Sequence, residues 1–233
     1  MKILGICGST RKNEQSGVHI LVRTVLDASG CEYELVSLRG KKIGGCVACL
    51  GCVKDNVCVL DDDLRELRPK IAEADAYVIG APNFYSTLNG VTHAFLERWY
   101  QFRHREGDAL WGKLGVAVGV GGSSGQFPAA DIDKFFLYNF IETVAAVTGQ
   151  GAAACYSCGY GDTCKVGVPY MLYGEGAKIT EDMIPSVAKQ PDALEAARQA
   201  GAELGRRLRQ GHDRAEVTRR MQAKMMARFK EST

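Results

Sequence analysis

The chain opens on Lys2-Ile3-Leu4-Gly5-Ile6-Cys7-Gly8-Ser9-Thr10-Arg11-Lys12-Asn13-Glu14-Gln15-Ser16-Gly17. Residues 2–7 have strand length and strand composition, and a turn of glycine and hydroxyl residues follows at once. Residues 15–28 then carry apolar positions at helical spacing. A strand that runs through such a turn into a helix is the first half of a parallel βαβ unit. The same alternation repeats downstream. Residues 32–38 mix Tyr33, Leu35, Val36 and Leu38 with polar positions, as an edge strand does. Asp61-Asp62-Asp63 supplies an N-cap and first-turn carboxylates for a helix reaching Ala74. Ala76-Tyr77-Val78-Ile79-Gly80-Ala81 is a buried strand, with Pro82 expected to stop it. A helix is expected over 89–103, where Val91, Phe95 and Trp99 share a face, and a strand over 114–120. A helix over 132–147 and a last strand over 151–156 complete the pattern. The expected architecture is α/β, a doubly wound parallel sheet of five strands. Residues 1–190 read as one domain, and 191–233 as a C-terminal helical extension broken at Gly211-His212.

A chain of 233 residues, 46% hydrophobic, can bury a sizeable core, and a net charge of +2 gives no reason to expect nucleic acid or membrane as partner. No apolar run approaches the length of a membrane span. Met1-Lys2 leads into an apolar run that Gly8 interrupts too soon for a secretory segment, so a cytoplasmic location is expected. There the nine cysteines are reduced thiols, available for metal or redox chemistry.

Three loops fall at carboxyl ends of strands, where open α/β sheets bind their ligands. The first, residues 8–17, offers Ser9, Arg11, Lys12 and Ser16 beside backbone amides and a helix N-terminus, an arrangement suited to a phosphate. It is neither a Walker loop nor a G-x-G-x-x-G loop, which counts against ATP and Rossmann-bound NAD. Read plainly, it is a polar connection with Ser9 as N-cap. The second loop, Pro82-Asn83-Phe84-Tyr85-Ser86, brings aromatic faces and an amide. The third, with Gly121, Gly122 and Gly125, lets backbone approach a flat ring. A planar, hydrogen-bonding, phosphate-bearing ligand suits all three, and flavin mononucleotide (FMN) has those features.

Cys46, Cys49, Cys52 and Cys58 have the spacing C-x2-C-x2-C-x5-C. Four thiolates satisfy a cubane [4Fe-4S] cluster, and the spacing is close to the compact ferredoxin run. Tetrahedral zinc is the rival, although zinc ribbons separate their pairs by a longer loop. A disulfide framework is the third reading.

In these motifs the sequence resembles the flavodoxin-like NAD(P)H-dependent FMN reductase superfamily and, within it, the iron–sulfur flavoproteins. Gly8-Ser9-Thr10-Arg11-Lys12-Asn13 with Ser16 is similar to the family's phosphate loop. Residues 45–52 through Cys58, followed by Asp61-Asp62-Asp63, resemble its compact cysteine motif. Gly80-Ala81-Pro82-Asn83-Phe84-Tyr85 with Phe95-Leu96-Glu97-Arg98 resembles a third segment, with Phe84 where the family's tyrosine is usual and Glu97 in place of its aspartate. The resemblance implies a flavodoxin-like sheet, FMN, and a four-iron cluster close to the flavin. It also implies a homo-oligomer in which a site borders a neighbouring subunit. The expected activity is that of an FMN-dependent oxidoreductase passing electrons between cluster and flavin, with NAD(P)H or ferredoxin as donor. Alternatives are an NAD(P)H-dependent FMN or quinone reductase without a cluster, and a non-catalytic redox carrier or sensor. No acid–base residue is assigned.

Cys155, Cys158 and Cys164 form a second group that suits a metal, a redox-active thiol pair, or neither. Cys7 reads as a core thiol and Cys31 as a loop thiol; His93 and His104 read as structural. Residues 206–230 carry nine Lys or Arg against Asp213 and Glu216. The stripe Val217, Met221 and Met225 there is expected to pack on a partner subunit.

Overall fold

Lys2–Cys7 forms strand β1, buried from Ile3 onward, and the remaining elements are arranged about it. They are α1 (Gly17–Ser29), β2 (Glu32–Ser37), α2 (Leu64–Glu73), β3 (Ala76–Phe84), β4 (Thr87–Leu88) and α3 (Gly90–Glu97). Then come β5 (Leu114–Gly121), α4 (Gln126–Tyr138), β6 (Glu142–Gln150), α5 (Val168–Tyr173), α6 (Pro191–Gln210) and α7 (Arg214–Glu231). This is a computed structural model, and it describes residues 1–105 and 107–231.

Five strands pair in parallel in the order β2-β1-β3-β5-β6, the doubly wound order of flavodoxin-like folds. The winding reverses between β1 and β3, so the crevice at their carboxyl ends is where a ligand is expected. One face of the sheet buries Ile6, Tyr77 and Ile79 against α2, α3 and α4, around Trp99. The rings of Tyr77, Phe95 and Phe135 meet Trp99 edge-on at 5.0, 5.6 and 5.3 Å between centroids. The other face buries Ile3, Val78 and Val116 against Leu21, Val22 and Leu204 of α1 and α6. Those two helices touch backbone to backbone. A Cβ at Gly201 would lie 2.1 Å from the Val25 carbonyl oxygen, and one at Gly205 would lie 1.9 Å from that of Ser29. Part of the C-terminal segment is thus a covering helix of the sheet.

Several expectations shift. The helix expected over 132–147 is α4, which ends at Tyr138, and Val144 to Val147 belong to β6. Asn139 and Phe140, the latter at φ 53°, break the run. A short apolar run cannot be told from helix by periodicity alone. Residues 151–156 are not a strand but an extended connection ending in a 3-10 turn. Pro82 does not stop β3, which continues to Phe84 and folds back onto β4. Pairing with β1 ends at Gly80, so one side of β3 is already open at Pro82, and proline is tolerated at such an edge. The helix expected over 89–103 tightens into a 3-10 segment from Arg98 to Phe102. Ser16, not Ser9, caps α1: its hydroxyl accepts from the His19 N–H at 3.2 Å.

Val217 and Met221 of the α7 stripe, expected to face a partner subunit, are buried in their own chain with Leu137 and Phe140, and Trp111 packs against them. Glu142 of β6 joins both C-terminal helices, pairing with Arg207 at 2.6 Å and Arg220 at 2.5 Å. The break falls where expected, and the His212 ring meets the Gly112 carbonyl at 3.0 Å. No helix among the described residues is long and apolar enough to cross a membrane.

Candidate functional site

A cleft of about 860 Å³ opens at the carboxyl edge of the sheet, within the range of roughly 300–1,000 Å³ common for cofactor sites. Ser9, Arg11 and Ser16 line one side, Pro82, Asn83, Phe84 and Tyr85 another, and Gly122 a third. Eight of the expected cofactor residues therefore share one space. Lys12 does not. It lines a separate shallow groove with Asn13, Ser37 and Arg39. Ser86, Gly121 and Gly125 also lie off the lining. A Cβ at Gly121 would meet the Ser124 carbonyl at 2.1 Å, and one at Gly125 the Gly119 carbonyl at 2.0 Å. These glycines let the loop close on β5 rather than let a ring approach.

The anion loop is fixed from below. The Gly8 N–H donates to the Gly80 carbonyl at 2.8 Å, and the Gly8 carbonyl accepts from Asn89 Nδ2 at 2.9 Å. Thr92 Oγ1 donates to Asn89 Oδ1 at 2.6 Å, and a Cβ on Gly8 would lie 1.9 Å from that hydroxyl. Asn89 and Thr92 are buried at the start of α3. Ser9 Oγ accepts from the Arg11 N–H at 3.2 Å, and Arg11 Nη2 reaches across to the Ala152 carbonyl at 2.9 Å. Among the described residues no protein acceptor meets the N–H groups of Thr10 and Lys12. Such unpaired amides beside a guanidinium and a helix N-terminus suit a phosphate. Burial pushes up the Cys7 thiol beneath them, in keeping with a core thiol.

The second wall of the cleft rests on the β3–β4 hairpin. Asn83 Nδ2 donates to the Ser124 carbonyl at 2.8 Å, while Asn83 Oδ1 accepts from the Ser86 N–H at 2.9 Å. Tyr85 and Ser86 sit at φ 53° and 62°, the left-handed pair that a two-residue hairpin turn needs but that glycine or asparagine usually supplies. Tyr85 projects fully exposed from that tip. The far wall was not visible in the sequence: Ala152 to Ala154, Tyr156 and residues 184–187. Its fastening is the mutual pair of Gln150 and Gln190, which no spacing rule announces.

A second locus lies at the other end of α3. All four of Cys46, Cys49, Cys52 and Cys58 line one hollow of about 20 Å³, with Leu50, Leu60, Tyr100 and Arg98. Ala48, Leu50 and Asn56 take left-handed φ of 52°, 57° and 58°, which wraps the loop tightly. Side chains at and beyond the end of α3 fasten it. Glu97 Oε2 accepts from the Cys46 N–H at 3.2 Å and Gln101 Oε1 from the Cys58 N–H at 3.0 Å. The His104 ring lies 3.2 Å from Cys52 Sγ, so this histidine belongs to the cysteine locus. His93 pairs on the surface with Glu97 at 3.4 Å.

Arg98 backs the hollow with its side chain 1% exposed. Nη1 donates to Asp62 Oδ2 at 2.6 Å and to the Gly44 carbonyl at 3.0 Å. Burial opposes the Asp62 charge, but the Arg98 fork and the Gly44 and Leu64 N–H groups outweigh it and hold the carboxyl below its usual range. Among the described residues Arg98 Nε is buried without a partner. Among the described residues the lining offers four thiols and a guanidinium N–H without an acceptor and no carboxylate, a donor set that fits an anionic metal–sulfur group. As they lie, no three His, Cys, Asp or Glu side chains among the described residues stand close enough to hold a metal ion. That holds equally for Cys155, Cys158 and Cys164.

Residues 1–154 match the sequence profile of a family described as NADPH-dependent FMN reductase. An iron–sulfur flavoprotein of Methanocaldococcus jannaschii is 30% identical over 159 residues, 67% of this chain and 80% of that protein. An iron–sulfur flavoprotein of Methanosarcina thermophila is 34% identical over 124 residues, 53% of this chain and 64% of its own length. The structure of RosB with a bound 8-demethyl-8-formylriboflavin-5'-phosphate intermediate matches with a TM-score of 0.62 at 18% identity, over 99% of this chain and 87% of that one. That last likeness is one of fold.

Proposed function

The chain belongs to the NADPH-dependent FMN reductase family and is a flavin-dependent oxidoreductase, and from that premise we propose that it carries FMN in the sheet-edge cleft and a [4Fe-4S] cluster on Cys46, Cys49, Cys52 and Cys58. FMN supplies exchange between one- and two-electron transfer, and the cluster supplies single-electron transfer. Ser9, Arg11, Ser16 and the amides of the 8–17 loop bind the phosphate. The Pro82–Tyr85 segment and Gly122 orient the ring. The donor is NAD(P)H or a ferredoxin-like protein, and the working form is a homo-oligomer.

One observation carries this reading: a single short helix braces both loci. Asn89 and Thr92 at the start of α3 hold Gly8 of the anion loop, while Glu97 at its end and Arg98 and Gln101 of the 3-10 segment that continues it hold the cysteine loop. Eight residues of helix span about 12 Å at 1.5 Å per residue. Two loci on one rigid element keep a fixed separation, which electron transfer between bound groups requires.

The second reading is a reductase that keeps the same flavin cleft and whose cysteines bind zinc or nothing. Visible spectra recorded without oxygen during dithionite titration separate the two. The proposed protein shows broad absorbance under the flavin bands that bleaches as the cluster reduces. Flavin bands alone, with steady NADPH oxidation, favour the second reading.

A further inference from the structure

Among the described residues, Arg98 is the one Lys or Arg that lines the cysteine hollow. Its side chain is 1% exposed, and its guanidinium does two jobs at once. Nη1 and Nη2 grip Asp62 at 2.6 and 3.3 Å, while Nη1 also holds the Gly44 carbonyl just ahead of the first cysteine. Asp62, in turn, accepts the N–H groups of Gly44 at 3.2 Å and Leu64 at 3.1 Å. The plane of the guanidinium is therefore fixed from its far edge. What is left is Nε, buried and unpaired, on the side chain that lines the hollow with the four thiols.

A buried N–H without an acceptor costs roughly 1–3 kcal/mol, more on a charged group. In native chains such a group has a specific cause, and a bound ion or ligand that completes it is one of them. Asp62 already balances the guanidinium charge, so an acceptor is needed at Nε for its hydrogen bond and not for bulk neutralisation.

We propose that the Arg98 Nε–H donates to a sulfur of the group bound by the four cysteines and so raises its reduction potential. The inference rests on the cluster reading above. Adding an electron makes the cluster more negative, and an N–H aimed at its sulfur stabilises the reduced form more than the oxidised one. No bond is made or broken. A charge-assisted hydrogen bond is worth about a factor of ten in that equilibrium, equivalent to 59 mV for one electron.

The test is an anaerobic redox titration of the full holoprotein, reading the cluster by electron paramagnetic resonance and the flavin by absorbance. Arg98→Gln is expected to shift the cluster's reduction equilibrium about tenfold toward the oxidised form, about 59 mV more negative, and to leave the flavin potential unchanged. If Arg98→Gln loses the cluster or the fold, Arg98→Lys decides, because it keeps a positive charge but has no Nε–H at that point on the stem. A more negative cluster potential in Arg98→Lys supports the assignment. An unchanged potential with iron retained in the deciding variant overturns it. A wild-type protein without iron and sulfide overturns the cluster reading itself and takes this inference with it, an outcome recognisable before any variant is made.

Discussion

Asn89 Nδ2 donates to the Gly8 carbonyl oxygen at 2.9 Å, across 81 positions of sequence, and both residues are buried. That bond ties the anion loop to the helix that also carries the cysteine locus. Asn89→Ala is expected to leave the carbonyl with only the 3.4 Å contact from Thr92. The expected cost is about 1–3 kcal/mol of stability. FMN affinity should fall about tenfold, measured by fluorescence titration of apoprotein. Unchanged affinity would mean that the loop sets its own conformation.

Arg11 is exposed and bridges the cleft to Ala152. Arg11→Ala should weaken FMN binding by roughly 1.5–3 kcal/mol, the worth of a charged hydrogen bond, and leave iron content unaltered. Equal loss of both cofactors would show a folding defect instead.

Cys49 is exposed, so its substitution removes a proposed ligand without a core defect. Cys49→Ser should lose iron while keeping its circular dichroism and most of its FMN. Full iron retention would show that the ligand set is wrong.

Met221 of α7 is buried against Leu137 and Phe140 of the same chain. Met221→Ala should lower the unfolding free energy by about 2 kcal/mol in denaturant titrations and leave the subunit number unchanged in sedimentation. A changed subunit number with unaltered stability would place the stripe between subunits.

Lys113 is buried, and Nζ donates to the Ala72 carbonyl at 2.6 Å and to the Tyr77 hydroxyl at 3.2 Å. Burial pushes its ammonium down to about 8. The unfolded chain keeps that proton up to about 10.4. Between these values the unfolded state binds more protons, so stability rises with pH through the window, by on the order of 3 kcal/mol. Below the window the full burial cost is present at every pH. The phenol of Tyr77, pushed up by burial, opposes the rise only above its ordinary value near 10. Unfolding curves between pH 8 and 10 should therefore converge for wild type and Lys113→Met. Parallel curves would contradict the shift.

The sheet was legible because β1, β3 and β5 are buried on both faces and read as continuous apolar runs. β6 was not, because Ala145, Ala146 and Val147 fit a helix as well as a strand, and only its register against β5 decides. The first two cleft loops were visible through Ser9, Arg11, Asn83 and Tyr85, whose chemistry lies in their own side chains. The opposite wall was not, because Ala152 to Ala154 and residues 184–187 are placed by contacts from elsewhere in the chain. Asn89 and Thr92 read as an ordinary helix start; their role depends on Gly8, which only the tertiary fold brings to them. Arg98 falls in the Phe95-Leu96-Glu97-Arg98 motif, but its buried Nε has no signature in sequence.

The measurement that bears most directly on the central claim is the iron, acid-labile sulfide and flavin content of protein isolated without oxygen. About four iron and four sulfide with about one FMN per chain are expected. Stoichiometric zinc without sulfide, or FMN with no metal at all, would contradict it.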